Sequence, residues 1–203
     1  MRRIRIVVAY DGTNYCGWQI QPNGITIEEI LNRQISKLTG EDIRIIGASR
    51  TDSGVHALGN VAVFDTESRI PGDRFAYALN QKMPEDIVIV RSDEVQIDWH
   101  PRYQNEISKT YEYHIYNAKV RNPLKNRYST FVSFDLDVEK MRQGAKYILG
   151  EHDFASFCNV RTNAKDTVRT VHEITITEIP MDKFRASDWG RDNSNLENES
   201  IIK

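Results

Sequence analysis

The sequence predicts an α+β protein with sheet on one side and helices on the other. Three observations predict it. Apolar runs of strand length are separated by single amphipathic helices, the same rhythm recurs in a second half, and no short internal repeat or low-complexity block precedes residue 187. The 203 residues fit one large domain or two small ones that share a core. With 39% apolar and 28% charged residues, the composition is that of a folded chain rather than a disordered one.

Each element has a local reason. Residues 3–10 are basic and then apolar, broken by Arg5 and running directly into Asp11-Gly12, which reads as a buried first strand and not as a signal peptide. Thr26-Ile27-Glu28-Glu29 has the form of a capping box. Ile27, Ile30, Leu31, Ile35 and Leu38 follow at helical spacing, and Gly40 supplies the left-handed stop. Asp42–Ile46 is β-rich, and Asn60–Phe64 is an apolar run of strand length. Pro71 opens a second helix carrying Phe75, Ala76 and Leu79, and a strand is expected from Asp86 to Arg91. In the second half, Tyr111, Tyr113 and Ile115 alternate with Glu112, His114 and Tyr116, predicting a strand with one aromatic face. Asp137 caps a helix through Met141, Ala145, Ile148 and Leu149 up to Gly150, and Thr167–Ile179 is again β. Ser187–Ser200 is polar and aperiodic, so no regular element is expected there.

Charge and cysteines narrow the class. A net charge of −2 weighs against a generally basic nucleic-acid binder, but only the local field at a groove matters for phosphate contacts. Between Tyr113 and Phe134 there is no acidic residue, while Lys119, Arg121, Lys125 and Arg127 add four positive charges; by charge alone this is a solvated loop. No window approaches the roughly 18 consecutive apolar residues of a membrane span. Cys16 and Cys158 offer neither a disulfide framework nor a zinc pattern, and the five histidines have no metal spacing, so a cytoplasmic protein is expected.

The densest polar punctuation is Gly47–Ala57, between a β-rich segment and an apolar strand. It gathers a carboxylate, a guanidinium, hydroxyls and an imidazole at a strand end, where scaffolds commonly mount reactive groups. By pattern alone, Asp52 equally suits an Asx turn before Gly54, and Arg50 a plain ion pair with it.

The loop Arg50-Thr51-Asp52-Ser53-Gly54-Val55-His56-Ala57 resembles the active-site motif of the tRNA pseudouridine synthase A family. Further segments match in the same order: Tyr10–Gln19, Asp98–Tyr103, Lys109–Tyr113, Gly150–Phe157 and Thr167–Thr170, so the likeness covers residues 3–179. The resemblance implies two ferredoxin-like halves sharing a mainly antiparallel sheet, with helices on one face. It implies an isomerase acting on uridines 38–40 of the anticodon stem-loop of tRNA, with no metal or organic cofactor and a homodimeric assembly. Asp52 falls on the family's catalytic aspartate, Arg50 on its paired arginine and Tyr111 on its active-site tyrosine. A carboxylate can attack C1′, take the 2′-proton or add to the uracil ring, and the residues do not choose among these. The base must leave the stack to be reached; Arg50 can fill the vacated space or hold phosphate, and Tyr111 can stack on the flipped uracil. Arg102, Lys109, Lys119, Arg121, Lys125, Arg127 and Arg169, with Arg161 and Lys165, are the candidate phosphate contacts.

On this reading residues 1–103 form an N-terminal half carrying the loop at 47–57, and residues 104–186 an incomplete C-terminal half. Residues 187–203 form a polar tail unlike the family. Relatives continue with a Phe-Leu strand and a Met-Val-Arg helix that no residue after Ala186 matches. The alternative is therefore a tRNA-binding protein impaired in catalysis.

Overall fold

The computed structural model describes residues 1–103, 108–158, 166–180 and 200–202. The chain divides into two units, Met1–Lys109 and Thr110–Lys203. The architecture is α+β, as the sequence predicts.

In the first unit, strand β1 (Arg2–Tyr10) pairs antiparallel on both sides, with β3 (Ala57–Thr66) and β4 (Ile87–Val95). The short β2 (Ile46–Gly47) lies on the far edge of β3, giving the order β2-β3-β1-β4. Alternation along β1 sorts its side chains. Ile4, Ile6, Val8 and Tyr10 are buried, while Arg3 and Arg5 stand on the other face. There Arg3 binds Asp65 through two nitrogens at 2.7 and 2.8 Å, and Arg5 binds Asp93 at 3.1 and 2.6 Å. Each pair is directly opposed in the ladder, so these charges pin register as well as pairing.

Helix α1 (Ile27–Thr39) lays Ile27, Ile30, Leu31 and Ile35 on the buried sheet face. Thr26 accepts from the amide of Glu29 at 3.3 Å, and Gly40, at φ 77°, closes the helix. Beside it, α2 (Phe75–Asn80) buries Phe75 and Leu79, with Phe75 edge-on to Phe64 at 5.3 Å between ring centres. Short β2 is less than the sequence suggests: Ile43 and Ile45 are buried but outside a ladder, held instead by amide bonds to Ser36 and Asn32 of α1. Tyr15 and Trp18 are also core residues, Trp18 only 2% exposed.

The second unit has shorter elements. Strand β5 (Ile115–Asn117) pairs parallel with β6 (Thr130–Val132), and helix α3 (Val138–Ala145) follows. Strands β7 (Gly150–Asp153) and β8 (Val168–Val171) form a two-stranded antiparallel sheet. β9 (Glu178–Pro180) and β10 (Ser200–Ile202) complete the order β6-β5-β10-β9.

Four expectations are corrected here. The aromatic strand begins only at Ile115, so Tyr111 and Tyr113 precede it and are exposed. The helix opened by Asp137 ends at Ala145, short of Leu149. The β segment 167–179 is two strands separated by residues 172–177, with Val171, Ile174 and Ile176 half-buried. Composition predicts no regular element near the terminus, yet Ser200–Ile202 is a strand between β5 and β9, its Ile201 opposite both Tyr116 and Ile179. A three-residue strand forms there because β5 and β9 each present an edge with no other partner.

Candidate active site

The loop from Ala48 to His56 joins β2 to β3, and the backbone around it is tied down at several points. At its start, Ala48 donates to Val61 O at 2.8 Å, continuing the β2–β3 pairing. Below its centre, the segment after β1 acts as a second rail. Trp18 N donates to Thr51 O at 3.0 Å, and Gly54 N and Ser53 Oγ both donate to Tyr15 O, at 3.3 and 3.2 Å. Val55 N closes a turn onto Asp52 O at 3.2 Å. The approach is close enough to require glycine at position 17. Its φ is +79°, and a Cβ there would lie 2.5 Å from Thr51 O. Two residues from β1 and β3 also reach the loop from the core side: Tyr10 OH lies 2.8 Å from Thr51 Oγ1, and Asn60 Nδ2 donates to Ser49 O at 3.1 Å.

On this rigid seat Arg50 and Asp52 are both exposed and line one cleft of about 440 Å³. Its opposite wall comes from the segment at 16–23, including Gln19, Ile20, Gln21 and Asn23. Arg50 and Asp52 share the cleft without forming an ion pair with each other among the described residues, contrary to the local opposition expected from their spacing. A carboxylate facing open solvent beside an exposed guanidinium can meet an electrophilic sugar carbon or accept a proton, while the guanidinium receives phosphate or a ring face. His56 closes the loop. Its Nδ1 lies 3.0 Å from Asp11 Oδ1 and 3.1 Å from Gly12 N. A second cleft of about 370 Å³, bordered by Tyr15, Arg33 and Lys82, contains none of these loop residues.

The other candidates fall in varied settings. Tyr111 is 74% exposed in a stretch without regular structure. Arg102 donates through Nε to Gly47 O at 2.8 Å, so its guanidinium braces the foot of the loop at 48–56. Lys109 and Lys125 are exposed, or half-exposed at Lys125. Lys119 pairs with Asp135 at 2.7 Å, and Arg121 lies over the Phe131 ring at 4.9 Å. Arg127 is exposed and engaged by a neighbour, and Arg169 is exposed with Nη1 donating to Val168 O at 2.6 Å. Arg161 and Lys165 lie outside the described residues. Sequence reading missed Tyr10 and Asn60 as supports of the loop. The available signal was a lone asparagine opening the apolar run at 60–64, since a buried amide requires partners.

Among the described residues no helix is long and apolar enough to cross a membrane. Comparison with known proteins agrees with the motifs. The family described as tRNA pseudouridine synthase matches residues 6–104 and 145–188. A protein named tRNA pseudouridine synthase A from Acetivibrio thermocellus is 49% identical over 176 residues, spanning 87% of this chain and 72% of that protein. One of the same name from Ruminiclostridium cellulolyticum is 44% identical over 192 residues, 94% of this chain and 78% of its own length. Another, tRNA pseudouridine synthase A 2 of Clostridium perfringens, is 48% identical over 176 residues, with 87% and 72% covered. With likeness of this extent, and with the motif's arginine and aspartate on the wall of one cleft, the chain belongs to the tRNA pseudouridine synthase family, a family of isomerases with the pseudouridine synthase fold.

Proposed function

We propose that this chain isomerises uridine to pseudouridine at positions 38–40 of the anticodon stem-loop of tRNA, with Asp52 as the catalytic carboxylate. The observation that carries the reading is Asp52 itself: an exposed carboxylate on the wall of a cleft, on a loop whose backbone is held from three sides. The reaction breaks the N1–C1′ bond, turns the uracil, and joins C5 to C1′. The hydrogen on C5 leaves to solvent and N1 gains one, so the product is an isomer. Asp52 can serve by attack on C1′, by taking the 2′-proton or by adding to the ring.

The target base must leave its stack, since an in-line duplex hides its glycosidic bond from the cleft. Arg50 then fills the vacated space or holds the neighbouring phosphate, and the exposed Tyr111 ring stacks on the extruded uracil. Lys109, Lys119, Arg121, Lys125, Arg127 and Arg169 contact the phosphate backbone. Arg102 does so with its terminal nitrogens, its Nε being engaged by Gly47. The working protein is a cytoplasmic homodimer that binds tRNA.

Release of tritium from tRNA labelled at uridine C5 tests the reading, because that hydrogen is lost only when C5 is joined to C1′. Asp52→Asn should lower release by about a thousandfold or more while leaving tRNA affinity and thermal melting unchanged, since the side chain is exposed. Release by Asp52→Asn at the parent rate would refute the role of Asp52. Tight tRNA binding by the parent without release would identify an RNA-binding protein that does not catalyse.

A further inference from the structure

The hydrogen bonds behind the loop have a direction, and that direction reaches the cleft. Asn60 is 7% exposed and Tyr10 5% exposed, so their polar groups must be satisfied within the protein. Ser49 O, 3.1 Å from the Asn60 amide, can only accept, which fixes the NH2 end of Asn60 toward it. The same NH2 faces Tyr10 OH at 3.5 Å, and an amide nitrogen cannot accept the tyrosine's hydrogen. That hydrogen therefore goes to Thr51 Oγ1, 2.8 Å away. Thr51 Oγ1 accepts and its own hydrogen is left over. No other hydrogen bond of the Thr51 hydroxyl occurs among the described residues, and Thr51 is a half-buried lining residue of the cleft, between Arg50 and Asp52.

We propose that Thr51 donates its hydroxyl hydrogen to an oxygen of the substrate nucleoside, and that Asn60 and Tyr10 are positioning residues that aim it. The proposal rests on the pseudouridine synthase reading above for the identity of the nucleoside. A hydroxyl that accepts from Tyr10 has its own hydrogen turned away from that bond, so it is poised to donate to the substrate. It needs no reorganisation when the base arrives, the condition under which a single donor matters most to a rate. The acceptor is a uracil carbonyl or the ribose 2′-oxygen. Both lie near a carboxylate that works at the glycosidic bond.

Three variants test it by tritium release, with tRNA affinity measured alongside. Thr51→Val keeps the shape and removes the donor; it should lower turnover about ten- to hundredfold with tRNA affinity within about twofold, because phosphate contacts dominate binding of the whole tRNA. Thr51→Ser keeps the donor and should stay within about threefold of the parent. Tyr10→Phe leaves Thr51 free to rotate and should fall between them, with the loss in kcat rather than in affinity. Parent-like turnover in Thr51→Val overturns the proposal, and so does a Thr51→Ser loss as large as that of Thr51→Val, which would mean that shape alone matters.

If the parent itself releases no tritium, the catalytic reading has failed while this one is still decided by binding. Titration of uridine monophosphate into the cleft, followed by NMR, should then be several-fold weaker for Thr51→Val and parent-like for Thr51→Ser. Equal affinities would overturn the donor role. Repeating the titration with 2′-deoxyuridine monophosphate separates the acceptors: a valine effect that persists points to a uracil carbonyl, and one that vanishes points to the 2′-oxygen.

Discussion

The two units use their apolar residues differently. From Met1 to Lys109, a nine-residue central strand is paired on both sides, and two helices bury one continuous core against it, from Ile4 and Ile6 through Leu31 and Ile35 to Phe64 and Phe75. From Thr110 onward, the sheet strands are three or four residues long, and only Tyr116, Ala118 and Val138 are buried apolar residues among those described. Meanwhile Tyr111, Tyr113, Tyr147, Phe134 and Phe157 stand exposed. The well-cored unit also provides the fixed seat of the loop at 47–57. Exposed aromatic rings are free to stack on a partner, which rings buried in a core are not.

The comparison breaks most sharply at the cores. Leu31→Ala should cost about 2–5 kcal/mol, because the fully buried side chain is enclosed between helix and sheet and leaves a cavity. Val138→Ala, in a core of so few residues, should cost roughly 1 kcal/mol. Urea unfolding of the two variants measures this, and equal losses would show that the second unit is as tightly packed as the first.

Next in size is the junction between the loop and its rail. Gly17→Ala forces a side chain into left-handed backbone and toward Thr51 O, at a cost of about 1–3 kcal/mol. Amide exchange of residues 51–55 should accelerate in this variant while β1 stays protected. A parent-like melting temperature and exchange pattern would mean that the loop does not depend on that seat.

A change of similar size, confined to binding, tests the exposed aromatics. Tyr111→Ala should weaken tRNA binding by about 1–3 kcal/mol, the worth of one stacked base, and Tyr111→Phe should retain it. Neither should alter melting, since the ring is exposed. Equal affinities in the two variants would argue against stacking.

The smallest effect belongs to the cap of α3. The Asp137 carboxyl is held below its ordinary value of 3.8, first by the hydrogen-bonded Lys140 ammonium and then by the Lys140 backbone amide. A carboxyl depressed on folding stabilises the folded state above its unfolded pKa, and the contribution disappears as pH falls through the lower folded value. Asp137→Ala should therefore melt slightly below the parent at pH 7, and the gap should close in strong acid. A gap that is independent of pH would assign the effect to helix propensity instead.

The parts of this protein legible in one dimension are those settled by near neighbours in the chain. Thr26, Glu29 and Gly40 delimit α1 because capping involves residues three or four apart, and the helix face follows from the spacing of Ile27, Ile30, Leu31 and Ile35. The loop at 47–57 was legible as a polar connection at a strand end, and it joins β2 to β3. Alternation at Tyr111 and Tyr113 marked a strand that does not form there, since a strand also needs a partner and β5 finds its own only from Ile115 to Asn117.

Tertiary structure decided the rest, because it turns on residues far apart in sequence. Ser200–Ile202 became a strand only because β5 and β9 each offered an open edge. Arg50 and Asp52, two residues apart, do not pair, since the loop's path, fixed by Trp18, Tyr15 and Ala48, sets where each side chain goes. Tyr10 and Asn60 came under the loop through the ladder of β1 with β3, in which Asn60 lies opposite Val8 and Tyr10 opposite Ala57. Residue types and near spacing determined most of the elements and singled out Asp52 as a candidate. The register of strands separated by fifty residues determined what stands behind it, because hydrogen-bond donors and acceptors are matched in space, and that match is made only when the sheet closes.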